Sequence, residues 1–139
     1  MDWDRQTIKE WDELGFYYEY DKNLKQWRFF GSKNGLNNFV KLIEKYTEEP
    51  SNNGNSEHIH IGPYNYLKIM TWNETLISEN SIAGTLKDLI RLKNIILDKL
   101  VVVKVGQIFK IGNEYSINDT PYMLFVVMKD EFLPSTIEF

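Results

Sequence analysis

Helical periodicity is confined to two stretches of this chain, and the segments around them are short runs of β-branched and aromatic residues. After Ser32, a capping residue, Leu36, Phe39, Val40, Ile43 and Tyr46 recur at helical spacing, while Lys41, Glu44 and Lys45 take the polar side and Pro50 marks a stop. Thr85-Leu-Lys-Asp88 is a capping-box variant that opens a second helix, with Leu86, Leu89, Ile90, Ile96, Leu97 and Leu100 as its apolar stripe. Two helices set among many strand-like runs, without one-to-one strand and helix alternation, argue against a bundle and against a doubly wound parallel sheet.

The first strand pair is expected at Leu14 to Tyr20 and Gln26 to Gly31, joined by the turn-like Asp21-Lys-Asn-Leu-Lys25. Alternation puts Phe16, Tyr18 and Tyr20 on one face of that hairpin and Tyr17 and Glu19 on the other. Residues 50 to 56 are polar and aperiodic, an expected exposed loop. Glu57 to Ile61 is a short extended segment before the Gly62-Pro63 break, and Tyr66 to Trp72 is the next strand, with a further short one within residues 76 to 83. Beyond the second helix, Val101 to Val105 is expected as a β-branched strand, Gln107 to Ile111 and Glu114 to Ile117 as a hairpin around Gly112-Asn113, and Tyr122 to Met128 as a strand apolar on both faces. The expectation is a single α+β domain over residues 1 to 139, a mainly antiparallel β-sheet with two amphipathic helices packed on it. Each half runs strands, helix, strand, but no internal repeat of useful strength emerges from the letters.

Composition narrows the chemistry. With no cysteine, disulfide scaffolds, thiol catalysis and Cys-type zinc sites are excluded. The start MDWDRQTIKEWDELG has no basic region followed by an apolar one, and no stretch approaches 18 apolar residues, so export and membrane insertion are not expected and a cytoplasmic location is. The formal net charge is −4, and only Arg5, Arg28 and Arg91 are arginines, which leaves nucleic acid without the basic footprint it needs. Acids concentrate at the front: Asp2, Asp4, Glu10, Asp12, Glu13, Glu19 and Asp21 face only Arg5 and Lys9 over residues 1 to 21. Charge runs are usually solvated faces, but this one also suits a basic partner.

Two constellations carry candidate chemistry. His58 and His60 stand two apart in Glu57-His-Ile-His-Ile61, so an extended backbone projects both imidazoles from one face, as a strand presents two nitrogens to one divalent metal ion. A metal-dependent hydrolase or lyase built on them would use Glu57 or Glu79 as base, and needs a third ligand that no pattern identifies. Without such a metal, no cofactor is expected. Tyr64, Tyr66 and Trp72 follow the histidines in a chain of 8 Phe, 8 Tyr and 4 Trp; most of these must be core, but Tyr and Trp also anchor protein interfaces. An exposed strand edge or aromatic face would equally serve a homo-oligomer. No Gly-x-Ser-x-Gly elbow, Gly-rich phosphate loop or Walker pattern is present.

Ser56-Glu-His-Ile-His-Ile-Gly-Pro-Tyr-Asn-Tyr-Leu-Lys-Ile-Met-Thr-Trp72, followed by Ile82-Ala-Gly-Thr-Leu-Lys-Asp-Leu-Ile-Arg-Leu92, Phe109-Lys-Ile and Glu114-Tyr-Ser116, resembles a group of small bacterial proteins, some of which resemble immunity proteins of polymorphic toxin systems. In that group an acidic residue and an aromatic usually follow the first histidine, where this chain has Ile59 and Ile61 around His60. The resemblance implies a cytosolic single-domain α+β protein that neutralises a toxin by protein-protein contact. On that reading Asp2, Asp4, Asp12 and Glu13 steer a basic toxin, and Tyr64, Tyr66 or Trp72 anchors it.

Overall fold

A computed structural model describes residues 3–117 and 121–137. The chain begins with a helix, α1 (Arg5–Leu14), where no helix was expected. Its ends are chemically marked: the Asp4 carboxylate accepts the Thr7 N–H at 2.7 Å, which holds that carboxyl below its usual range. At the other end Gly15 adopts φ +89° and donates its N–H to the Trp11 carbonyl. Only Trp11 of this helix is buried, with Leu14 packed partly against the core beside it, so its apolar face is a narrow one of Ile8, Trp11 and Leu14.

The expected hairpin follows as β1 (Phe16–Asp21) and β2 (Gln26–Gly31), then α2 (Lys33–Glu48) with Ser32 as its N-cap. Gly35 lies so close to the Gly15 carbonyl that a Cβ there would approach its oxygen to 2.0 Å. Asn38 donates to the Leu14 carbonyl at 3.0 Å, so α2 starts locked against the end of α1. A 3-10 turn over Pro50–Asn53 leads to β3 (His58–Ile61), β4 (Leu67–Thr71), β5 (Leu76–Ile77), β6 (Ser81–Gly84) and α3 (Leu86–Val102). β7 (Ile108–Ile111), β8 (Tyr122–Val127) and a 3-10 turn over Pro134–Thr136 complete the described chain.

The fold is α+β, and four of its six strand pairings are antiparallel. The strands divide into two four-stranded sheets rather than one, in the orders β1-β2-β8-β7 and β3-β4-β6-β5, each with a parallel central pair. The Val101 to Val105 strand is overturned: α3 runs through Val102, and the Val103 N–H closes it on the Lys99 carbonyl. Val101 and Val102 are exposed, so their branched side chains have no sheet to pack on and the hydrogen-bonded helix simply propagates. The Glu114 to Ile117 strand is also overturned, because the Tyr115 and Ser116 N–H groups turn back onto the Gly112 carbonyl and β7 pairs with β8 instead.

The division into two sheets exposes an internal duplication that the letters conceal. One unit runs β1-β2-α2-β3-β4 and the other β5-β6-α3-β7-β8; each sheet takes the first hairpin of one unit and the second hairpin of the other. Gly31 pairs with Val127 as Gly84 pairs with Thr71, and Met128 and Trp72 donate to the Gly31 and Gly84 carbonyls, both at 2.8 Å. Ser32 and Thr85 then cap the two helices. Turns ending at Ser56 and Gly106 donate in the same way to the Thr71 and Val127 carbonyls, and β3 and β7 both end in Ile-Gly. The helices α2 and α3 pack on each other over the inner faces, with Lys93 and Glu44 paired at 3.4 Å across their exposed flank.

Candidate functional site: an aromatic cleft

The β1-β2 hairpin carries six residues per arm, whereas its counterpart β5-β6 turns back after two to four. The distal part of the long hairpin, at Tyr20 and Trp27, therefore overhangs what the duplicated unit covers. Between this overhang, the loop from Gly62 to Tyr66 and the Glu79-Asn80 turn lies a cleft of about 600 Å³, lined by Trp11, Tyr17, Tyr18, Glu19, Tyr20, Lys22, Trp27, Tyr64, Tyr66, Glu79 and Asn80. That volume is in the range of small-ligand and side-chain pockets.

Its wall is held by neighbouring structure. Tyr18 donates its hydroxyl to the Ile61 carbonyl and Trp27 donates Nε1–H to the Ser78 carbonyl at 2.7 Å, so two rings of one sheet are pinned to the other. Trp11 packs on Tyr17 at 4.8 Å and edge-on to Tyr18 and Tyr64 at 5.3 and 6.0 Å. Its buried Nε1 finds no acceptor among the described residues. Burial pushes the Tyr18 phenol up to about 12, and it also raises that of Tyr17. Tyr20 is raised by burial and by the nearby carboxylates of Glu79 and Asp21.

The mouth is different in kind. Tyr64 is 41% exposed and Tyr66 67%, with their rings 5.5 Å apart and tilted together at the rim. Glu19 and Asp21 share Arg28 at 3.2 and 3.4 Å, whereas Glu79 has no ion pair among the described residues. The cleft thus offers a bed of π faces with a carboxylate beside it, the arrangement that attracts an ammonium or guanidinium group.

The residues expected to bind a partner fall into different places. Tyr64 and Tyr66 come together at the cleft. Trp72 is half-buried beyond the opposite end of β4, on the order of 20 Å from Tyr66 along the strand. Asp4 caps α1, and Asp12 accepts the Ser135 N–H and hydroxyl at 3.0 and 2.9 Å, tying the C-terminal segment to that helix. Glu13 pairs with Lys9 at 3.8 Å on the exposed side of α1, and Asp2 lies outside the described residues. The cleft's own acids, Glu19 and Glu79, and its Trp11, Tyr20 and Trp27 come from α1, β1, β2 and the β5-β6 turn; the run Tyr17 to Tyr20 in β1 was the available sequence signal.

His58 and His60 stand apart from the cleft, exposed on the outer face of β3, an edge strand. Their ring centroids are 5.0 Å apart at an interplanar angle of 87°. The ring Nδ1 atoms lie 2.8 Å from the Ser56 carbonyl and 3.1 Å from the Asn65 carbonyl. Glu57 faces away from them by alternation, and β4 and β6 separate Glu79 from them. No group of three or more His, Cys, Asp or Glu side chains that could hold a metal ion occurs among the described residues. No helix among those residues is long and apolar enough to cross a membrane. No family model, curated protein or solved structure matches the chain.

Proposed function

We propose that this chain is a cytoplasmic binding protein that holds a cationic segment of another protein in the aromatic cleft, and that it acts as an immunity protein, neutralising a basic toxin by covering its working surface. The observation that carries this reading is the cleft itself: Tyr64 and Tyr66 spend large aromatic area on solvent at the rim of a cavity floored by buried rings, next to Glu79, which has no ion pair among the described residues. Rigid aromatic anchors of this kind concentrate binding energy at protein interfaces, and the acidic chain speeds encounter with a basic partner.

The test compares wild type with a Tyr66→Ala, Glu79→Lys variant. Both positions are exposed, so the variant should keep its stability within about 0.5 kcal/mol. The immunity reading requires a toxin gene beside this one, and its absence would overturn that reading; co-expression with that toxin should protect cells carrying wild type and fail with the variant, with affinity for the purified toxin reduced by at least about 30-fold. Equal protection and equal affinity in a folded variant would overturn the cleft as the binding surface.

A further inference from the structure

We propose that His58 and His60 form half of a metal site, completed by the same two residues of a second copy, so that one zinc ion joins two chains edge to edge through β3. Three features of the structure support it, none of which uses a side chain that lines the cleft.

The first is ring geometry. Two imidazoles that bind one tetrahedral zinc through Nε2, with Zn–N near 2.0–2.1 Å, place their ring centroids about 5 Å apart. His58 and His60 already stand at 5.0 Å. The second is the proton on each ring. Nδ1 of each lies within hydrogen-bond distance of a backbone carbonyl, Ser56 for His58 and Asn65 for His60. A carbonyl only accepts, so Nδ1 carries the hydrogen and the Nε2 lone pair is left for a metal, the usual outer support of a metal-bound histidine.

The third is the edge. Lys68 and Trp72 donate their N–H groups toward β6, to the Asn80 and Gly84 carbonyls, while Thr71 donates to the Glu57 carbonyl on the β3 side. Ladder alternation then turns Ile59 and Ile61 toward β4 and leaves the backbone groups of His58 and His60 facing the open edge. His-Ile-His is symmetric about Ile59. Antiparallel pairing of β3 with its own copy, centred on Ile59, sets each His58 opposite the other chain's His60 and gathers four imidazoles on one face. The β3-β4-β6-β5 sheets of the two copies would become one continuous sheet. The equivalent edge strand β7 has Ile108 and Lys110 in these places, and a lysine on an open edge discourages such pairing.

A chain purified without a histidine tag is titrated with zinc chloride and followed by sedimentation velocity and by bound-metal analysis. The expected result is a monomer that becomes a dimer at one zinc per two chains, with His58→Ala and His60→Ala each losing the dimer and at least about tenfold in zinc affinity. Both positions are exposed, so the variants should fold. Zinc bound without dimerisation, no stoichiometric zinc, a dimer that forms equally in chelator, or a zinc dimer unchanged in the two variants would each overturn the proposal. Toxin protection by Tyr66→Ala, Glu79→Lys is scored separately, so failure of one reading leaves the other standing.

Discussion

The two sheets, each built from one hairpin of either duplicated unit, solve the same packing problem with different side chains. In the sheet of β1, β2, β8 and β7, one inner row reads Tyr18, Phe29, Phe125, Phe109; the matching row of the other sheet reads Ile77, Ile82, Ile69, Ile59. The register is identical, and in each row the three positions nearest the long hairpin or its counterpart are buried while the last is partly so. In the aromatic row Phe109, Phe125 and Phe29 stack with centroids 4.7 and 4.8 Å apart and nearly parallel planes, and Phe39 of α2 stacks on Phe29 at 4.9 Å. The wide aromatic sheet can carry a long overhanging hairpin, and the cleft forms under it; the compact isoleucine sheet ends in a tight turn that supplies only the cleft's far rim. Function is therefore sought where the duplication fails, not where it holds.

The largest loss of stability is expected at the centre of each row. Phe125→Ala should destabilise by about 4 kcal/mol and Ile69→Ala by about 3 kcal/mol, because both leave cavities at fully buried positions but the ring also loses two stacked neighbours. Urea denaturation followed by tryptophan fluorescence measures both. A single transition is expected in each variant, since the units exchange hairpins and share one core. A larger loss for Ile69→Ala would show that the isoleucine sheet, not the aromatic one, anchors the fold.

Buried phenols give the next effect. Tyr18 donates to the Ile61 carbonyl, and Tyr115 donates to the Ala83 carbonyl at 2.7 Å with the Arg91 guanidinium 5.0 Å from its ring centre. Burial raises both phenols above the ordinary 10.0, Tyr18 to about 12, with the Asp88 carboxylate adding to the rise at Tyr115. A raised folded-state value means the neutral phenol is favoured by folding: the stabilisation is complete below pH 10, and that of Tyr18 disappears as pH climbs through about 12. Thermal denaturation from pH 8 to 12, with phenolate absorbance recorded alongside, should show stability falling over that window. Tyr18→Phe and Tyr115→Phe should each cost about 1–2 kcal/mol at neutral pH and shallow the alkaline fall. An unchanged alkaline slope in the double variant would assign that fall to other groups.

What the amino-acid sequence disclosed follows from the range of each interaction. The Thr85 helix was legible because its capping box and apolar stripe are local, and the β1-β2 hairpin because its arms and turn are adjacent. α1 hid although Ile8, Trp11 and Leu14 recur at helical spacing and Asp4 and Gly15 mark both ends, because three apolar positions set among charged and polar residues read as a solvated segment. Val101 and Val102 misled because β-branched preference is weak against a helix already propagating. The separation into two sheets was invisible for a different reason: the parallel pairings β2 with β8 and β4 with β6 each join opposite units, and no nearest-neighbour pattern encodes them. The cleft was half legible. Tyr64 and Tyr66 announce themselves after Gly62-Pro63, but Trp11, Trp27 and Glu79 become their neighbours only when the sheets are assembled.

The two units also share one strained backbone position, where a change of residue has a smaller effect. Ser56 and Gly106 occupy the same place in the two units, the third residue of a turn closed by Glu57 N–H to the Gly54 carbonyl and by Gln107 N–H to the Lys104 carbonyl. Both have positive φ, 73° at Ser56 and 88° at Gly106, a region that costs a side chain about 1–2 kcal/mol. A Cβ at Gly106 would meet nothing within 4 Å, so exchange at this site reports backbone conformation alone. Glycine's greater freedom in the unfolded chain offsets part of the strain. Ser56→Gly should therefore raise stability by about 0.5–1 kcal/mol and Gly106→Ser should lower it by the same amount, read as opposite shifts in thermal midpoint. Equal and opposite shifts would show that the two turns are energetically interchangeable. A gain at Ser56 without the matching loss at Gly106 would mean that the turn before His58 carries strain of its own, beyond what its positive φ requires.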